Sequence, residues 1–131
     1  MISYIINDVG SLVKKVGNRN ALDLADYFDI RIREDKLGGL KGYIFFQSRI
    51  TTLCINAELP ELYRQTVICH EIGHYRYHRS LAKNIDFVER NIFRQNCQNE
   101  YEANLFAAEF LLADELVLET LDKADIFTAA A

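Results

Sequence analysis

All three histidines of this chain fall within one short stretch, TVICHEIGHYRYHRS, residues 66–80. They stand at His70, His74 and His78, four residues apart each time. On an α-helix, side chains four apart lie about 40° apart on one face, one turn along. Whatever this helix packs against must meet a stripe of imidazoles. His70 and His74 are close enough for both rings to reach one metal ion. Glu71 lies about 100° round the helix from His70, so it flanks such an ion without binding it and is free to handle a water proton.

HEIGH is an HExxH pattern, which on a helix is a metallopeptidase signature. A catalytic zinc takes three protein ligands and keeps one position open, so a third ligand is needed. His78 continues the spacing but lies about 12 Å along the axis from His70. A zinc–nitrogen bond is only about 2 Å long, so a straight helix cannot bring all three histidines to one ion. His78 is expected in a structural or substrate-edge role. The better source is NEYEAN, where Glu100 and Glu102 compete. Glu100 shares a face with Ala103, Asn104 and Ala107; Glu102 points about 160° away. The small residues on that face allow a close approach to Gly73. Glu100 is therefore favoured as the ligand, with Asn104 placed to hydrogen-bond the far nitrogen of a ligating histidine.

The rest of the chain gives these helices a setting. Residues 1–131 fit one domain. Ile2, Ile5, Ile6, Val9, Leu12, Val13 and Val16 recur at helical spacing, and Gly17 ends that helix. Asn18 or Asn20 can cap a second helix, ALDLADYFDI, with Leu22, Ala25 and Phe28 inward. IRIRED, KGYIFFQSR and ITTLCIN then read as three strands, with LGG and QSR as turns. A small antiparallel sheet is expected. Pro60 opens the motif helix, which runs to about Tyr77. The segment 79–97 reads as irregular, with a short element around IDFVERNIF. A long helix over about 98–112 carries Glu100, and Asp114 caps a last short one, ELVLETL. Helices, strands, then helices make the class α+β.

Composition excludes several alternatives. The net charge of −4 carries no basic excess. Residues 1–35 hold five Lys/Arg against six Asp/Glu, which is no DNA-reading surface. No direct nucleic-acid contact is expected. Cys54, Cys69 and Cys97 form no CxxC pair, which points to a reducing compartment. Cys69 reads as a buried core residue and not as a metal ligand. The N-terminus lacks a basic region before its apolar positions, and no run is long enough to span a bilayer. A cytoplasmic protein without membrane contact is expected. The basic stretch 76–94 reads as a solvated rim. Tyr77, near the metal face, is a candidate for steadying an oxyanion.

HEIGH followed by EYEANLFAAEFLL resembles the ImmA/IrrE family of zinc metallopeptidases, gluzincin-type enzymes with HExxH and a distant glutamate. The second motif, roughly E-x-x-A-N/D-x-F-A, matches at Glu100, Ala103, Asn104, Phe106 and Ala107. The resemblance spans most of the chain from about residue 20. It implies a minimal zincin-like fold with N-terminal helices, a three-stranded sheet, the HExxH helix and a C-terminal ligand helix. It implies zinc on His70, His74 and Glu100, with Glu71 as general base. It also implies a protein substrate, a helix-turn-helix repressor of a mobile element or prophage. LLADE departs from the Met-Pro that follows the leucine pair in many relatives, and a C-terminal extension seen in some is expected to be absent. The rival is a non-catalytic, zinc-containing anti-repressor that docks without cutting. An intact Glu71 speaks against it, because docking needs no base. The strand RITTLCIN is the expected edge for an extended substrate.

Overall fold

The computed structural model describes residues 2–78 and 97–112. The elements in order are α1 (Ile2–Val16), α2 (Ala21–Tyr27), β1 (Ile30–Asp35), β2 (Gly42–Gln47), β3 (Ile50–Asn56), α3 (Glu61–Tyr77) and α4 (Cys97–Leu111). The class is α+β, as the pattern predicts. The elements expected around IDFVERNIF and ELVLETL lie outside the described residues.

Helix α1 buries Ile5, Val9 and Leu12. It stops at Gly17, whose φ of 93° suits glycine and whose N–H donates to Val13 O. Asn20 caps α2, its side chain accepting from the N–H groups of Leu22 and Asp23. This helix is shorter than expected. Asp29 takes a φ of 59° and turns the chain, so Ile30 begins a strand. The inward residues are Ala21, Leu24 and Ala25, while Leu22 is exposed.

The sheet corrects the sequence-based expectation. Its order is β1-β3-β2, with β2 antiparallel to β3 but β1 parallel to it. Ser48 and Arg49, both with positive φ, make the two-residue turn between β2 and β3. The connection from β1 steps past the end of β3 instead of folding straight back. Asn56 holds it there, donating from Nδ2 to Gly38 O at 3.0 Å and Leu40 O at 2.9 Å. Strand β3 is therefore central and has no open edge, so it cannot accept a substrate strand. Among the described residues only the outer edges of β1 and β2 are unpaired by a strand. Register sets Ile32, Leu53 and Ile44 in one row across the sheet. Leu53 and Ile44 are buried in the core, with Ile32 packed against it.

Helix α3 runs through the middle of the molecule, and every residue from Val67 to His74 is buried. A helix buried all round needs neighbours on every side. The sheet supplies one: Val67 lies against Gly42 of β2. Helix α4 supplies another at Gly73, where an added Cβ would stand 3.2 Å from Ala103 Cα and 3.2 Å from Phe106 Cβ. Two further ties fix these helices. Arg19, between α1 and α2, donates to the carbonyls of Glu109, Phe110 and Leu112 at 2.8, 3.2 and 2.7 Å, capping the end of α4. Asp8 of α1 accepts from the Arg76 guanidinium at 2.7 Å and from the Tyr77 hydroxyl at 2.6 Å.

Two predictions follow from this packing. Alanine is favoured over glycine inside a helix by about 1 kcal/mol, but overpacking costs about 1–3 kcal/mol. The atoms facing Gly73 are a backbone carbon and a Cβ, neither able to swing aside. Gly73→Ala should therefore lower stability in urea denaturation; a gain would mean the α3–α4 contact yields. The second concerns pH. The Arg76 guanidinium, against the effect of burial, holds the Asp8 carboxyl below its ordinary pKa. A depressed carboxylate stabilises the fold above its unfolded pKa of about 3.9 and loses that contribution as pH falls through the folded value. Asp8→Asn should cost about 1–3 kcal/mol at neutral pH, a difference that closes in acid. A pH-independent difference would count against the ion pair.

Candidate metal centre

Three side chains converge where α3 and α4 touch. The ligand atoms of His70, His74 and Glu100 all lie within 4.8 Å of one another. Glu100 Oε1 is 3.2 Å from His70 Nε2, and Glu100 Oε2 is 3.0 Å from His74 Nε2. The close approach at Gly73 makes this possible. Glu100 sits one turn before Ala103 and Asn104, and so reaches across to the turn of α3 that carries both histidines.

The surroundings decide which ring nitrogens face inward. His70 Nδ1 is 2.8 Å from Asn104 Oδ1. An amide oxygen only accepts, so His70 Nδ1 carries hydrogen, and in the neutral ring Nε2 holds the lone pair. His74 Nδ1 is likewise engaged, 2.9 Å from His78 Nδ1. The Nε2 of His74 is buried and has no hydrogen-bond partner, although a Glu100 oxygen is 3.0 Å away. The oxygen is near but off the line of an N–H bond. Two donors around one tetrahedral zinc, with bonds of about 2.0–2.1 Å, stand about 3.3 Å apart. The observed 3.2 and 3.0 Å separations fit a shared ion, and the donor set of two imidazoles and a carboxylate suits one.

Electrostatics agrees with that donor set. Burial works against the Glu100 carboxylate, but the His70 and His74 rings facing its two oxygens outweigh it and hold its pKa far below the ordinary range. The two imidazoles respond oppositely to this one carboxylate. Burial dominates at His74, with repulsion from His70 and His78 added, and its pKa falls to about 4. At His70 burial is the largest single effect, yet Glu100, Glu71 and Asn104 together overcome it and raise the pKa. One carboxylate supports one cationic ring at most, and His74 is the ring left neutral.

Glu71 is buried beside His70. Glu102 does not join the cluster; its Oε1 is 2.9 Å from His78 Nε2. His78 is buried and also stays outside the cluster. The spacing of His78 after His74, and of Gln98 before Glu102, held a signal for this pairing that a search for metal ligands alone overlooks. Tyr77 turns its hydroxyl to Asp8, so it does not serve an oxyanion at the cluster. Arg76, the first residue of the expected basic rim, is likewise engaged by Asp8. Cys69 is fully buried, and burial raises its thiol pKa far above the ordinary range, leaving a protonated core residue.

Comparison with known proteins agrees with the geometry. Residues 25–127 match the model of a peptidase family described as the IrrE N-terminal-like domain. The chain is 30% identical over 124 residues to a Bacillus subtilis protein named metallopeptidase ImmA, covering 89% of this chain and 68% of that one. It is 34% identical over 111 residues to a Bacillus phage phi105 protein named uncharacterized immunity region protein 2, covering 83% of this chain and 68% of that one.

The geometry separates the two glutamates. Glu100→Ala should abolish stoichiometric metal uptake, measured by elemental analysis after dialysis, while Glu102→Ala should still take up one ion when metal is in excess. The reverse pattern would exchange their roles.

Proposed function

We propose that this chain, which belongs to the IrrE N-terminal-like family of metallopeptidases, is a zinc-dependent endopeptidase acting on a regulatory protein in the cytoplasm. The observation that carries the reading is the Glu100 carboxylate set between two imidazole Nε2 atoms, with Glu71 buried alongside. His70, His74 and Glu100 would hold the ion. Bound zinc would supply a Lewis acid that polarises the scissile carbonyl and makes water more acidic. Glu71 takes the proton from the attacking water and delivers it to the leaving amine, a two-step duty for one carboxylate. Asn104 orients His70. An extended substrate would pair with an outer sheet edge, and β2, which packs on α3, carries the nearer one.

A regulatory protein as substrate is supported by the resemblance to the family and by the phage relative, whose name refers to an immunity region. A helix-turn-helix repressor of a mobile element, encoded beside this chain, is the substrate to test. No described helix is long and apolar enough to cross a membrane, and a soluble repressor is the matching partner.

Glu71→Gln keeps the shape of the side chain and removes the base. It should retain zinc and fold while losing about 10²–10⁴-fold in cleavage rate. Repressor cleavage on a gel and repressor release from operator DNA are the two readouts. Release by both proteins with no cleavage by either would replace the peptidase with a docking anti-repressor.

A further inference from the structure

We propose that His78 and Glu102 are positioning residues for the metal centre, a hydrogen-bonded chain that holds His74 in the one tautomer able to bind a cation. The inference rests on the metal-site reading above and extends it to two residues that touch no metal. Its members are nearly sealed from water: His74, His78 and Glu102 are 2, 8 and 6% exposed. Gln98 Nε2 donates to Glu102 Oε2 at 2.8 Å. Glu102 Oε1 lies 2.9 Å from His78 Nε2. His78 Nδ1 lies 2.9 Å from His74 Nδ1.

With His78 as a neutral ring, each link has one direction. A carboxylate accepts and does not donate, so His78 Nε2 carries a hydrogen. A neutral imidazole has one donor and one acceptor, so His78 Nδ1 accepts. The facing His74 Nδ1 must then donate, which leaves His74 Nε2 as a bare lone pair beside Glu100. A reversed chain, through a cationic His78 donating from both nitrogens or through a protonated Glu102, would put hydrogen on His74 Nε2, where it would block a metal, so the metal-site reading selects the forward direction. Gln98 reinforces the forward direction by supplying a donor to the other carboxylate oxygen.

The two ligating rings are therefore oriented by different means. His70 meets a neutral amide on the helix that also carries Glu100. His74, the more deeply buried, is tied through a second imidazole to a carboxylate. Both partners of His70 and the far end of the His74 chain come from α4, so docking that helix sets both tautomers at once. Partners of this kind typically carry 10- to 100-fold in metal affinity.

The experiment is a zinc titration of the full-length protein against a chelating competitor, together with two-bond ¹H–¹⁵N spectra of the histidine rings in the zinc-loaded wild type. Expected are hydrogen on Nδ1 of His74 and on Nε2 of His78, a 10- to 100-fold rise in the zinc Kd for His78→Leu, and substantial recovery in His78→Gln, whose amide oxygen can accept from His74. Glu102→Gln should weaken binding less than His78→Leu, because its amide can still accept. A purely structural role would change the melting temperature of these variants but leave zinc affinity within twofold of wild type, which overturns the proposal. Hydrogen on His78 Nδ1 in the wild-type spectrum overturns it too, without reference to any variant's folding. Wild type that binds no zinc would instead sink the metal-site reading itself, an outcome distinct from zinc binding that is indifferent to His78.

Discussion

The contact between α3 and α4 at Gly73 is the constraint on which the rest depends. With no Cβ on one helix and Ala103 opposite, the two backbones come within direct contact. That separation lets a glutamate on α4 reach both imidazoles of α3. A larger residue at Gly73 or Ala103 would hold the helices further apart and leave Glu100 short of His70 and His74. A further tie holds the other end of α4: Arg19 satisfies its last carbonyls and joins them to the connection between α1 and α2.

Closeness brings a cost, because the shared face is polar. His70, Glu71, His74 and His78 on α3 and Glu102 on α4 are all buried. Buried polar groups lose about 1–3 kcal/mol each if left unpaired, so such a seam survives only when its members bond to one another. Asn104 answers His70, and His78, Glu102 and Gln98 form a line ending in a carboxylate with two donors. A fully apolar seam would hold the helices together with less risk. The retained polar seam has two consequences an apolar one lacks: it fixes ring orientations, and it leaves one buried nitrogen, His74 Nε2, without a hydrogen bond.

What was legible in the sequence follows the same division between local and non-local physics. Helical spacing and glycine or asparagine punctuation located α1, α3 and α4 to within a residue or so, and the three strands as well. Face geometry placed Glu100, and not Glu102, opposite His70 and His74. The end of α2 was missed because Asp29 turns the chain with a positive φ that no local pattern announced. Strand order was missed for a deeper reason. Alternation records which face a strand buries, not which strand lies beside it or in which direction that neighbour runs. The β1–β2 connection, pinned by the Asn56 side chain, carries β2 to the far side of β3. The role of Tyr77 depends on a partner 69 residues away, beyond any local signal, while His78 joins a partner 24 residues away to His74, one turn back on its own helix.

Helix α1 lies outside the residues that match the family model, yet it bears on the site through the last turn of α3. Helix ends lack intrahelical partners for their final carbonyls and tend to fray. His78 sits at that end, just past Tyr77, with its own N–H bonded to His74 O at 2.7 Å. If this turn opened, the His78 ring would leave His74. Asp8 prevents that by gripping the two residues immediately before His78, Arg76 through its guanidinium and Tyr77 through its hydroxyl. The Arg76 guanidinium also lies 5.2 Å from the centre of the Phe28 ring, which ties the same turn to the end of α2. Order at His74 is thus supplied from two directions, by α4 through Glu102 and by α1 through Asp8. The N-terminal helix belongs to the architecture of the site although none of its residues is part of the His70–His74–Glu100 cluster.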